Sequence, residues 1–258
     1  MKYTKTELAK ALKIDQFPRS ATYDPEWVFE NQMGPNVLWL TESLGQVMDL
    51  KPGMRVLDMG CGKAMSSIFL AQEFDLQVWA TDLWVEASEN WERVRAAGLE
   101  DQVFPIHAEA HTLPFAAEFF DAIVSMDAYH YFGTDDLYLG YLVQVLKAGG
   151  QVGIVVPGLL QELAVGPPEH LQPYWEWEFC SFHSPDWWRR HWEKTDKVDV
   201  ELADLIPDGW KHWLKWRQIH LEREDHDYIR REAEMLRVDA GRNLGFTRLV
   251  ARKKQADL

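Results

Sequence analysis

The chain has 258 residues, 47% of them hydrophobic, enough for one sizeable core with an elaborated cap. Its 41 acidic residues outnumber 27 Lys and Arg, a formal net charge of −14 that works against binding a phosphate backbone, so nucleic acid and an anionic membrane surface are disfavoured as partners. No run approaches the ~20 apolar residues that span a bilayer, MKYTKTELAKALKIDQF lacks the apolar stretch of a signal peptide, and two cysteines, Cys61 and Cys180, give neither a disulfide framework nor a metal-ligand set. A cytoplasmic setting with no bound metal is expected.

The first ~50 residues read as helices with breaks. Tyr23-Asp24-Pro25 marks a turn, and Gly34-Pro35-Asn36 is expected to open a helix, with Pro35 in its first turn. From Met54 short apolar runs alternate with helical stretches. Arg55 to Met59 reads as a strand ending in Gly60-Cys61-Gly62, with a helix after it. Gln77 to Asp82 is a second strand, Glu86 to Ala97 a helix, Val103 to Ala108 a third strand and Ala122 to Met126 a fourth. Leu137 to Leu146 reads as a helix, and Gln151 to Val156 as a fifth strand ended by Pro157-Gly158. This alternation predicts a parallel sheet with helices on both faces, doubly wound by right-handed crossovers.

After Gly158 the rhythm breaks. Residues 159–183 are Pro- and Trp-rich; Pro185 to Lys194 reads as a helix, Val198 to Ile206 as a strand, Trp210 to Val238 as mostly helix and Gly245 to Ala251 as a last strand. The expected division is a helical segment over 1–50, a cofactor-binding core over 51–158, and a cap plus two closing strands over 159–258. Eight of the 13 Trp fall between Trp175 and Trp216. Arg189 and Arg190, the nearest thing to a basic patch, read as a solvated helix face.

The loop Gly60-Cys61-Gly62 follows a strand and precedes a helix, where α/β sheets bind ligands and where glycine allows close backbone approach. A dinucleotide fingerprint wants a third glycine at position 65, and Met65 stands there. Asp58, at the tip of the strand, would repel a pyrophosphate and attract an ammonium group. A nucleoside-like cofactor with a cationic tail fits better than a nicotinamide dinucleotide. Asp82 ends the second strand, where a carboxylate accepts from a ribose diol. Glu109 and Ala110 follow the third strand and suit the edge of an adenine ring.

Five motifs in order, VLDMGCG, TDLW, HAEAHTLPF, FDAIVSMDAYHYF and LKAGGQVGIVVPG, running from Val56 to Gly158, resemble the class I S-adenosylmethionine-dependent methyltransferases, and within them the quinone-biosynthesis C-methyltransferase branch. The resemblance implies a Rossmann-like α/β fold, with a mostly parallel seven-stranded sheet whose last strand is antiparallel. It implies S-adenosylmethionine as cofactor, with Asp58, Gly60, Cys61 and Gly62 facing its methionine part, Asp82 and Leu83 the ribose, Glu109 and Ala110 the adenine, and Asp127 the methionine tail. Ala64 and Ala148 replace a glycine and a proline usual in that family, and both are small enough to be accommodated.

Methyl transfer from a sulfonium asks mainly for alignment and exclusion of water. His130 and Tyr129, after the fourth strand, are the expected catalytic pair. Tyr131, Trp175, His183 and Trp213 are the expected acceptor wall. Trp210, Trp213 and Trp216 recur every third residue and share a helix side, and most of the other cap aromatics, among them Trp177, Phe179, Phe182, Trp187 and Trp188, are expected in the core. The expected partner is a small-molecule methyl acceptor; oligomeric state is open. Two rival readings are a nicotinamide-dependent oxidoreductase and a non-catalytic relative whose pocket is plugged by side chains.

Overall fold

The computed structural model describes residues 3–224 and 226–255. Three short helices come first. α1 (Lys5–Leu12) opens with a capping box between Thr4 and Glu7. α2 (Pro25–Asn31) has Asp24 as its cap and Pro25 in its first turn. α3 (Val37–Gly45) starts later than expected. Asn36 is its cap, its side chain accepting from the backbone N–H groups of Leu38 and Trp39, so Pro35 lies outside the helix. Residues 32–35 are thereby left as an irregular strap.

The core then alternates as expected: β1 (Arg55–Met59), α4 (Met65–Phe74), β2 (Gln77–Asp82), α5 (Ala87–Ala96), β3 (Val103–His107), β4 (Phe120–Met126), α6 (Tyr138–Leu142), β5 (Leu146–Leu159). The expected helix to Leu146 is shorter, because β5 already pairs with β4 at Leu146 and Phe120 before a register shift carries the ladder on to Ala122 and Gln151. The cap contributes α7 (Pro185–Glu193), β6 (Val198–Leu205), α8 (Gly209–Arg223) and α9 (Asp227–Asp239), and β7 (Leu244–Lys253) closes the sheet.

The seven strands lie in the order β3-β2-β1-β4-β5-β7-β6. β1 to β5 pair in parallel, and β7 runs antiparallel between β5 and β6. The fold is the expected Rossmann-like one. Period-two alternation sends Val56 to one face and Leu57 and Met59 to the other, so each face has its own core. One packs α3, α4 and α8 around Phe69, Leu44 and Trp216. The other gathers Tyr129, Tyr138, Trp188 and Trp192 from the turn after β4, α6 and α7. The chain changes direction across the sheet between β1 and β4, the topological switch point at which such sheets bind ligands. Among the described residues, no helix is long and apolar enough to cross a membrane.

Candidate active site

Two chambers meet at the carboxyl ends of the strands. The first, about 340 Å³, lies over the switch point between the Gly60–Lys63 loop, Asp82 to Trp84, Ala108 to His111, and Asp127 with Ala128. The second, about 360 Å³, lies under the cap, walled by α8, α9 and the turn after β4. Met33, Gly34, Pro35, Asp127 and Tyr131 line both. Both volumes suit small organic ligands.

The first chamber is built mostly from backbone. The N–H groups of Gly60 and Cys61 donate to the Thr81 carbonyl at 2.9 and 3.0 Å, folding the loop over the end of β2. The Gly62 N–H donates to Asp82 Oδ2 at 2.8 Å, and Asn90 Nδ2 donates to the Gly62 carbonyl at 2.8 Å. Gly60 sits at φ 69°, and a Cβ there would come within 2.3 Å of the Ala128 methyl, so the close approach of the β1 and β4 turns requires glycine. Ala64, where the resemblance leads one to expect glycine, also adopts the left-handed conformation, at φ 59°.

Asp82 accepts three backbone N–H groups: Gly62 on Oδ2, and Trp84 and Val85 on Oδ1 at 2.7 and 2.9 Å. A carboxylate offers about four lone-pair sites, so one remains for a ligand hydroxyl. Leu83 and Trp84 are exposed at the mouth, presenting apolar surface for a flat ring to cover. Glu109 is held by its own turn, its carboxylate accepting from His111 N and facing His111 Nδ1 at 2.7 Å. The His111 contacts keep its pKa below the usual carboxylate range. Burial pushes the Cys61 thiol up and keeps it unreactive.

Asp58 departs from expectation. Its carboxylate lines neither chamber; it is buried and accepts from the Ser66 and Ser67 hydroxyls at 2.5 and 2.6 Å, at the start of α4. Burial raises its pKa to about 6 against the opposing pull of those two hydrogen bonds. It braces the loop from behind. The ammonium-facing carboxylate expected of Asp58 is supplied by position instead at Asp127, which projects between the chambers. Asp127 adopts φ 56°, and a Cβ on Gly34 would lie 2.4 Å from its Oδ2, so the strap passes directly over the carboxylate. Burial, with Glu232 adding and Arg217 opposing, lifts its pKa to about 7.

The expected catalytic pair separates. His130 is 2% exposed and lines the second chamber, its ring 4.1 Å from that of Tyr131. Burial drives its pKa down to about 3, so the imidazole is neutral near pH 7 and a weak base. Tyr129 reaches neither chamber. It is wholly buried against Phe132, Tyr138, Trp188 and Trp192, because the 3₁₀ turn Tyr129–Tyr131 points alternate rings to opposite sides of the sheet edge. Tyr131 and Trp213 line the second chamber as expected. Trp175 and His183 do not. Trp175 packs edge-on against Phe179, and His183 stacks on Trp187 at 3.6 Å with Nδ1 3.0 Å from Glu162.

The largest omission from the sequence reading is a charged pair. Arg217 Nε lies 2.8 Å from Glu232 Oε2, both nearly buried, joining α8 to α9 at the back of the second chamber. Trp213 Nε1 donates to the other Glu232 oxygen. Trp216 Nε1 and Arg217 Nη1 both donate to the Gly34 carbonyl, at 2.8 and 3.3 Å, pinning the strap to α8. The signal was present: Trp213, Trp216, Arg217 and His220 sit at i, i+3, i+4 and i+7, so a guanidinium stands in a buried stripe.

Comparison with known proteins agrees with the sheet and the site. Residues 56–150 match the family model for a methyltransferase domain. That stretch, with its seven-stranded frame and open cleft at the switch point, is a class I S-adenosylmethionine-dependent methyltransferase domain. Among curated relatives, the methyltransferase GfsG of Streptomyces halstedii is 33% identical over 138 residues, covering 50% of this chain and 48% of that protein. The protein named "Probable protein arginine N-methyltransferase 6" of Arabidopsis thaliana is 31% identical over 166 residues, covering 63% of this chain and 35% of that protein. The chain thus spans half or less of each. Haemonchus contortus phosphoethanolamine N-methyltransferase 2, solved with phosphomonomethylethanolamine and S-adenosylhomocysteine, superposes with a TM-score of 0.73 at 21% identity, covering 96% of this chain and 61% of that one.

Proposed function

We propose that the chain transfers a methyl group from S-adenosylmethionine to a small-molecule acceptor, the donor bound in the first chamber and the acceptor in the second. The observation that carries this reading is the pair of chambers meeting at Asp127 and Tyr131, one of them built from the glycine loop and the tip of β2. The residues present fit the donor. Gly60 leaves room for backbone approach, Asp82 keeps one acceptor site for a ribose hydroxyl, Leu83 and Trp84 offer apolar cover for a purine, and Ala110 exposes backbone beside Glu109. When bound, S-adenosylmethionine supplies a methyl already activated on sulfur, so the protein's part is to align the acceptor and keep water out.

The Met33-Gly34-Pro35 strap, tied to α8 through the Gly34 carbonyl, covers the junction from above. Tyr131 stands between the chambers, and neutral His130 accepts or donates a hydrogen bond from the acceptor side. Asp127 lies nearest the meeting point and is suited to take up a proton the acceptor sheds. The open first chamber favours this reading over a plugged, non-catalytic relative, and Met65 in place of the third glycine favours it over a nicotinamide enzyme. A protein arginine side chain is disfavoured as acceptor because the second chamber lies beneath the cap. The likeness to quinone-biosynthesis enzymes rests on motifs between Val56 and Gly158, whereas most acceptor walls lie beyond them, so we do not carry that branch over to the acceptor.

Calorimetric titration with S-adenosylhomocysteine tests the reading. One site with micromolar affinity, lost in Asp82→Ala, is expected; no heat from either S-adenosylhomocysteine or S-adenosylmethionine overturns it. Incubating the protein and labelled donor with a metabolite extract, then reading the labelled product by mass, identifies the acceptor.

A further inference from the structure

We propose that the second chamber takes a positively charged amine as its methyl acceptor, held by Asp127 and the carboxylates of the rim among aromatic rings. This rests on the donor reading of the first chamber and deepens it.

The charges facing the chamber are lopsided. Asp127 after β4, Glu178 from the 3₁₀ turn Trp177–Ser181, Glu224 beyond α8 and Glu232 on α9 all line it, against the single guanidinium of Arg217. That guanidinium is already engaged by Glu232 and by the Gly34 carbonyl. Among the described residues, the side chains of Asp127, Glu178 and Glu224 make no ion pair. The other titratable groups do not restore the balance. Burial drives His130 to about 3 and His220 to about 4, the latter helped by Arg217, so both are neutral near pH 7. Tyr131 and Tyr228 have phenols pushed up by burial and by nearby carboxylates, so both are neutral too, and His226 stands at the open rim.

A second observation is independent of the acids. His130 and His220, 2% and 4% exposed, both line the chamber, and the Nδ1 atom of each has no hydrogen-bond partner. Buried polar atoms left without partners are costly and uncommon. A neutral imidazole presents one lone pair and one N–H, so a ligand bearing N–H groups satisfies what the protein leaves open. Around these groups stand Tyr131, Phe179, Phe182, Trp213 and Tyr228, whose ring faces attract a cation. An anionic acceptor would instead meet three uncompensated carboxylates.

The chemistry balances. A protonated amine gives a proton to the Asp127 carboxylate, freeing its lone pair. The nitrogen then forms the new N–C bond, while the electrons of the broken C–S bond remain on sulfur and convert the sulfonium to a thioether. The Asp127 proton passes to water, and the methylated amine takes a proton back on release.

The test is calorimetry on the full chain saturated with S-adenosylhomocysteine, using benzyltrimethylammonium, benzyl alcohol and benzylphosphonate as probes. The cation is expected to bind at least ~10-fold more tightly than the other two. Its affinity is expected to fall between pH 8 and pH 6, as Asp127 gains a proton on the way down through about 7. Asp127→Asn is expected to bind the cation ~10-fold more weakly with a flattened pH profile, and exposed Glu178→Gln about 2-fold more weakly. A preference for benzylphosphonate makes Arg217 the anchor and overturns the proposal. So does equal binding, or silence of all three probes while S-adenosylhomocysteine itself gives heat. Absence of that heat removes the donor site, a different failure, and the proposal with it.

Discussion

The two chambers are built by different means. The first is made of strand tips and loop backbone, and its shape depends on glycine conformations and N–H groups that sit close together in sequence. The second is made of side chains from the strap at 32–35, the turn after β4 and helices α8 and α9, brought together only by the fold. A site of backbone tolerates most side-chain changes but fails when a Cβ is added. A site of converging side chains adapts to a new ligand by single substitutions, which suits a fold that keeps one donor and varies the acceptor.

The sharpest way to break this contrast is Gly60→Ala. A Cβ 2.3 Å from Ala128, on a residue at φ 69°, forces the loop away from β4. S-adenosylhomocysteine affinity is expected to fall ~100-fold, about 2.7 kcal/mol, by calorimetry. An unchanged affinity would mean that the loop does not hold the donor.

Arg217→Met probes the other chamber. It leaves Glu232 buried without its partner, a loss of about 3 kcal/mol, which corresponds to roughly 6–12 °C in Tm for a chain of this size. Scanning calorimetry checks it, and the double variant Arg217→Met with Glu232→Leu should recover most of the loss. If the single variant melts like the parent, the pair is not closed in solution. Gly34→Ala is expected to raise the acceptor KM about 10-fold, because its methyl meets the Asp127 carboxylate at the junction. The smallest effect is expected from His183→Ala, which lies outside both chambers and should change the acceptor KM by less than about 2-fold, with only the local Trp187 stacking lost.

How much of this was legible in the sequence follows the same division. Strand and helix alternation announced the parallel sheet, and the loop at Gly60–Gly62, Asp82 and Glu109 fell in the first chamber because strand tips fix their positions locally. Asp58 was misread because strand position alone does not tell which side of the tip a side chain takes, and two serines one turn into α4 claim it. Tyr129 and His130 are neighbours in sequence, yet a 3₁₀ turn sends one to the core and the other to the chamber. The aromatic cap could not be sorted by composition. Trp213 lines the chamber, Trp188 and Trp192 fill a core, and Trp177 is 80% exposed, a distinction that depends on tertiary packing.

The measurement that bears most directly on the account is a crystal structure with S-adenosylhomocysteine. The account predicts the nucleoside over the Gly60–Gly62 backbone with a hydroxyl on Asp82, Asp58 still turned to Ser66 and Ser67, and the sulfur end beside Asp127 facing an open second chamber. The ligand lodged beneath the cap among Trp213, Arg217 and Tyr228, with the first chamber left unfilled, would contradict it.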